Sequence, residues 1–114
     1  MNSNEMKPVV YLSGKMTGLP DFGRAIFHDA QKRLEAMGYR ILNPAWMPLG
    51  MDYEQYMRVD FAMLDICDMI VLLPNWTDSK GAQAELAYAQ NLNKDVAYYR
   101  DGLLEFVTKA LKEA

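Results

Sequence analysis

Four short apolar runs punctuate the chain: PVVYLS at residues 8–13, YRIL at 39–42, MIVLL at 69–73 and DVAYY at 95–99. Each is too short for a helix, carries β-branched or aromatic residues and lies between turn-forming residues, so each reads as a strand. Between them the apolar positions switch to helical spacing. Phe22, Ile26, Ala30, Leu34 and Met37 form one stripe, running from an Asp21 cap to a stop at Gly38. Tyr53, Met57, Phe61 and Leu64 form a second, which Asp52 can cap and which ends near Asp65. After the third strand Pro74 breaks the run, and Asn75, Asp78, Ser79 and Gly81 make a polar loop. An alanine-rich helix follows, capped by Asp78 or Ser79, with Ala82, Leu86 and Ala89 as its packed face. Past a turn at Arg100 and Asp101, residues 103–111 read as a final amphipathic helix.

Strand and helix alternate throughout, and the strands are apolar runs with connections long enough for crossover helices. That pattern predicts an α/β fold: a doubly wound, flavodoxin-like or Rossmann-like parallel sheet of four to five strands, in the order 2-1-3-4, with helices on both faces. One domain over residues 1–114 is expected, with 1–7 as a flexible N-terminal tail. In such sheets ligands bind beyond the carboxyl ends of the strands, where strand order reverses. The turn after strand one and the loop after strand three are neighbours there, which gathers Tyr11, Gly14, Ser79 and Glu85 around one crevice.

Two acids interrupt the apolar faces. Glu85 lies three residues after Ala82 and four before Ala89, among small neighbours that leave space above it. Asp60 lies three residues after Met57 and four before Leu64. A buried carboxylate is costly without a partner or a cavity. Asp60 therefore reads either as a structural acid, paired with Arg58 or capping a neighbouring helix, or as part of a site. Gly14 and Gly18 bracket the turn after strand one. Gly14 either lets backbone N–H groups approach a ligand or simply makes a strand-to-helix turn. His28, the only histidine, falls off the stripe of its helix and reads as solvated. The nine scattered methionines are expected to fill core gaps. The long connection through Trp46, Pro48 and Gly50 can wall or cover a pocket.

Composition narrows the choice of chemistry. With 114 residues, 51% of them hydrophobic, the chain can build a core without staples. A net charge of −3 and an isoelectric point near 5.0 argue against a nucleic-acid polymer as partner. The single cysteine, Cys67, rules out an intramolecular disulfide and reads as a small buried apolar residue. With one histidine and one cysteine, no metal site is expected. No stretch approaches the length of a membrane span and no signal peptide is evident, so a cytoplasmic protein that does not bind membranes is expected.

Three segments together resemble the nucleoside 2-deoxyribosyltransferase superfamily, which includes 2′-deoxynucleoside 5′-monophosphate N-glycosidases and small phage-associated relatives. They are YLSGKMTG at 11–18, the aspartate of RVDFAMLD at Asp60, and SKGAQAELAYA at 79–89. The resemblance implies that Glu85 is a catalytic nucleophile, that Asp60 assists it and the departing base, and that Tyr11 positions nucleophile and sugar. It places Gly14 and Gly18 on the loop facing the sugar or its 5′-phosphate, and Ser79, followed by Gly81, where the monophosphate-specific branch uses a serine against phosphate. Lys15 and Thr17 stand where those hydrolases carry a serine and an arginine, so Lys15 would supply the charge. The activity implied is cleavage or transfer at the N-glycosidic bond of a small nucleoside or nucleotide, without a cofactor, in a homodimer or larger homo-oligomer. Aromatic and methionine residues between Trp46 and Met57 would serve a base pocket or a subunit contact. The alternatives are a non-catalytic nucleotide- or sugar-phosphate-binding module and a glycosidase acting on another N-glycoside.

Overall fold

The structure, a computed structural model, describes residues 7–107. Most of the expected N-terminal tail and residues 108–111 of the expected last helix lie outside that range. In chain order the elements are β1 (Val9–Ser13), α1 (Arg24–Ala36), β2 (Arg40–Leu42), α2 (Tyr53–Ile66), β3 (Met69–Leu72), α3 (Lys80–Asn91), β4 (Asp95–Arg100) and β5 (Leu103–Phe106). One five-stranded sheet has the order β2-β1-β3-β4-β5, with the first four strands parallel and β5 antiparallel to β4. This is the expected doubly wound α/β fold. No described helix is long and apolar enough to cross a membrane.

The pleat sorts residues between two cores. Val10, Leu12, Met69, Val71 and Ala97 face α1, where Phe27, Ala30 and Leu34 meet them. Tyr11, Ile70, Leu72 and Val96 face α2 and α3, where Leu64 and Ala89 close the layer. The chain leaves β1 toward β2 on one side and returns past it to β3 on the other. The order therefore reverses between β1 and β3, and a crevice opens beyond their carboxyl ends.

Three expectations need correction. Residues 103–106 form β5 and not the start of a helix. Asp101 and Gly102 both take left-handed backbone, φ 50° and 78°, and Arg100 pairs with Leu103. An Asp-Gly pair in that conformation matches the twist of a two-residue hairpin, and this outweighs the amphipathic spacing. Asp21 does not cap α1. Asp21, Phe22 and Gly23 run left-handed, at φ 49°, 55° and 70°, so the helix begins only at Arg24. The delayed start rotates the stripe, and the residues it buries are Phe27, Ala30 and Leu34, while Phe22, Ile26 and Met37 stay exposed. His28, finally, is not simply solvated: it is half-buried, its ring 4.1 Å from that of Trp46 and its Nδ1 3.2 Å from Asn43 Nδ2.

Candidate active site

Three elements bring acids and hydroxyls together at the crevice. α2 is held by a capping box at Asp52 and Gln55, which fixes its start and delivers Asp60 two turns later. α3 is capped by Ser79, whose Oγ accepts the Ala82 N–H at 3.0 Å. Ala82, Glu85 and Ala89 then form its buried face. β1 supplies Tyr11 and Ser13, two residues apart and so on the same side of the sheet.

At the centre, Glu85 is 5% exposed and accepts two hydrogen bonds, one on each carboxylate oxygen. Tyr11 Oη donates to Oε2 at 2.9 Å, and Ser13 Oγ donates to Oε1 at 2.7 Å. Asp60 is 7% exposed and Arg58 is not its partner: its Oδ1 is buried with no hydrogen-bond partner among the described residues. Burial pushes both carboxyls above their usual range, and for Glu85 the neighbouring Asp60 raises it further while Ser13 and Tyr11 pull the other way. The two acids thus titrate as a pair that holds a proton to higher pH than an ordinary carboxylate would. Burial, and then the charge of the acids beside it, drives the Tyr11 phenol well above its usual range, which keeps it a neutral donor.

A cleft of about 660 Å³ opens in front of the pair. Gly14, Lys15, Asp60, Ser79, Gly81 and Glu85 all line it. Tyr11 is wholly buried behind Glu85, and Gly18, left-handed with open space beside it, is not part of the lining. A Cβ on Gly14 would stand 2.9 Å from Leu73 Cβ, so close packing against the end of β3 already demands that glycine. The neighbouring Lys15 N–H donates to Asn75 Oδ1 at 3.1 Å, tying the loop after β1 to the loop after β3.

The cleft is divided by polarity. The β1–α1 loop and the start of α3 contribute Lys15, Thr17, Asp78, Ser79 and Lys80, beside the N–H groups of the first turn of α3. The connection before α2 and the first turns of α2 contribute Met47, Leu49, Met51, Tyr53, Tyr56 and Met57. With Met16, four of the methionines thus line the cleft. The expected core-filling role holds for Met69 in the α1-side core, against which Met16 also packs, and for Met63 against the other core, but not for Met47, Met51 and Met57. Tyr56 fixes this wall by donating to the Pro48 carbonyl at 2.7 Å.

Ser13 and Arg24 are the site residues that sequence reasoning missed. Arg24 lines the cleft and donates through Nη2 to the Met47 carbonyl at 3.2 Å, while its Nε is buried without a partner among the described residues. Nothing in its local pattern marks it, because the left-handed turn before it sets its direction. Ser13 was signalled only by its position two residues after Tyr11. Cys67 is remote from this chemistry, its thiol pushed up to about 11 by burial.

The fold has solved counterparts. A 2-desoxiribosyltransferase from Leishmania mexicana superposes with a TM-score of 0.66 at 19% identity, over 90% of this chain and 79% of the other. The CMP N-glycosidase BcmB of Clostridium botulinum superposes with a TM-score of 0.56, also at 19% identity, over 79% of this chain and 66% of the other. The chain therefore shares its fold with these two enzymes. No curated protein matches it in sequence. The profile of one family, described as a domain of unknown function (DUF4406), matches residues 8–98, and it is to this family that the chain belongs.

Proposed function

We propose that this protein cleaves or transfers at the N-glycosidic bond of a 2′-deoxynucleoside or its 5′-monophosphate, with Glu85 as nucleophile and Asp60 as acid and base. The observation that carries the reading is the pair itself: two buried carboxyls from different helices at the base of one cleft, one held by hydroxyls and the other with an oxygen left open. A purely structural pair would carry this cost of burial without return. Fold likeness to a deoxyribosyltransferase and to a CMP N-glycosidase supports the reaction class.

In the first step a Glu85 oxygen attacks C1′, the C1′–N bond breaks, and its electron pair leaves with the base, which takes a proton from Asp60. The product is a glycosyl ester on Glu85. In the second, water or another base attacks C1′, Asp60 accepts the proton from the attacking group, and the C1′–O pair returns to the Glu85 carboxylate. Tyr11 keeps the carboxylate oriented through both. The cleft's division suits such a substrate, since Lys15, Lys80 and Ser79 match an anionic or hydroxyl-bearing sugar end and the methionine and tyrosine wall matches a flat base. Exposed Trp46, Leu49 and Tyr53 beside the mouth support assembly as a homodimer or larger homo-oligomer, which light scattering would check.

The deciding experiment incubates the protein with deoxynucleosides, their 5′-monophosphates and the ribo equivalents, with and without an acceptor base, and follows free and exchanged base by chromatography. Release from at least one deoxy substrate is expected. If none releases or exchanges base while a nucleotide still binds, the protein is a binding module and the proposal fails.

A further inference from the structure

Among the described residues, Ser13 is the polar partner of Glu85 to which the superfamily resemblance assigns nothing. It is fully buried at the last position of β1, and its hydroxyl takes the Glu85 oxygen that Tyr11 does not. Neither hydroxyl-bearing residue lines the cleft, whereas Glu85 does. The two donors therefore reach the carboxylate from the sheet side and leave its other side to the cleft. Their common direction is set by the pleat, because residues i and i+2 of a strand share a face, so the arrangement needs no ordering of a mobile loop.

We infer that Ser13 is a second positioning residue for Glu85: with Tyr11 it holds one oxygen each, fixes the plane of the carboxylate toward the cleft and favours its ionised form. A single donor leaves the carboxylate free to rotate about the retained bond; two donors, on both oxygens, remove that freedom. Hydrogen bonds from hydroxyls to an anion are also stronger than those to a neutral acid, so the pair of donors offsets part of the cost of ionising a buried group beside Asp60. When the ester on Glu85 opens, the electron pair of the breaking C1′–O bond returns to a carboxylate that the same two hydroxyls already solvate. The consequences for rate rest on the N-glycosidase reading; the consequences for titration do not.

The groups facing Glu85 are few enough to interpret. Tyr11 comes from β1 and Asp60 from α2; around the cleft stand Lys15, Arg24, Asp78 and Lys80. Replacing Ser13 alters none of their charges. The experiment is a carbon-13 NMR titration of glutamate side-chain carboxyls in wild type, Ser13→Ala and Ser13→Thr, with Glu85→Gln identifying the Glu85 signal. In Ser13→Ala the Glu85 midpoint is expected to rise by about one pH unit, a tenfold change in proton affinity for one lost donor. Ser13→Thr, which keeps the hydroxyl, should return it toward wild type; if its extra methyl prevents folding, Ser13→Cys, a weak donor of similar size, should fall between the two. With a turned-over substrate in hand, the acid limb of kcat/KM should move up by the same amount, with kcat falling more than KM changes. A Glu85 midpoint that stays in place in Ser13→Ala overturns the inference whatever the rates do. Failure of wild type to release base would instead overturn the cleavage reading and leave the titration to decide Ser13.

Discussion

The two faces of the sheet are built from the same short strands but spend their interior differently. Toward α1, Val10, Leu12, Phe27, Ala30, Leu34, Met69 and Val71 make a layer without a buried carboxyl, its polar groups being Tyr99 and, at the edge, Asn43. Toward α2 and α3, Tyr11, Ile70, Leu72, Leu64 and Ala89 do the same, until the carboxyl ends of the strands, where Ser13, Asp60 and Glu85 replace apolar side chains. Burial of hydrocarbon stabilises at roughly 25 cal/mol per Å², whereas buried carboxyls cost free energy unless paired. One face thus holds the fold together and the other gives up some stability to keep two acids in place. The cleft lies at the seam, roofed by the connections and based on the costly face.

That contrast sets opposite expectations for substitutions on the two sides. The largest effect is expected for Glu85→Gln, which should lower base release by at least about a thousandfold, because an amide cannot form the glycosyl ester. The variant should nevertheless be at least as stable as wild type at neutral pH, since its amide oxygen still accepts from one of the Tyr11 and Ser13 hydroxyls, the other can turn to accept from the amide NH2, and no charge is buried. Chromatographic rates and urea denaturation read the two quantities separately. On the opposite face Leu34→Ala should cost about 2–5 kcal/mol of stability through the cavity it leaves. Its kcat, corrected for the folded fraction, should stay at the wild-type value. A loss of kcat in folded Leu34→Ala would show that the two faces are not separable.

Much of this division was legible in the sequence because both periodicities are strong where the chain is buried on two sides. The runs at 69–73 and 8–13 have no polar face, which marked central parallel strands, and acids at 60 and 85 stood out against helical stripes. The rest was hidden for physical reasons. Ser13 reads as a turn-forming residue after a strand, and its partner lies 72 positions away, a distance that only the β1–β3 pairing and the α3 crossover close. Arg24 and Phe27 were displaced by a left-handed turn at non-glycine residues, which local propensity does not anticipate. The hairpin at Asp101-Gly102 competed with an equally good amphipathic pattern, and tertiary pairing with β4 decided it. Methionines were assigned to the core by composition, while the flexibility that makes them gap-fillers also suits them to a cleft wall.

The pH dependence of stability sharpens the contrast next. Both acids have folded-state values above their unfolded ones, so across the window from the ordinary carboxylate range up to the raised values the native state binds more protons than the unfolded chain. Stability supplied by that difference is fully present below the window and is lost as pH rises through it. Asp60→Asn or Glu85→Gln should flatten this slope and raise stability at neutral pH by about 1.4 kcal/mol for each pH unit of upward shift removed. Urea midpoints measured from pH 4.5 to pH 8 check it, and a wild-type stability that climbs over that interval would mean the fold does not raise the two acids above their usual range.

The smallest effect concerns the other wall of the cleft. Met57 stands one turn before Asp60 on α2, and its sulfur comes within 3.8 Å of where a Cβ on Gly81 would be, so it spans the gap between α2 and the start of α3. An unbranched side chain there can adjust to leaving groups of different size, whereas a β-branched one is held at χ1. Met57→Ile should change stability by less than about 1.5 kcal/mol, as hydrophobic exchanges of similar volume do. It should alter the ratio of kcat/KM between the larger and the smaller bases by about tenfold, the low end of what one misfitting methylene gives. Unchanged ratios would place the base elsewhere in the cleft. In that case the methionine wall would contribute to packing, as the α1 face does, and the functional face would shrink to the two acids and their hydroxyls.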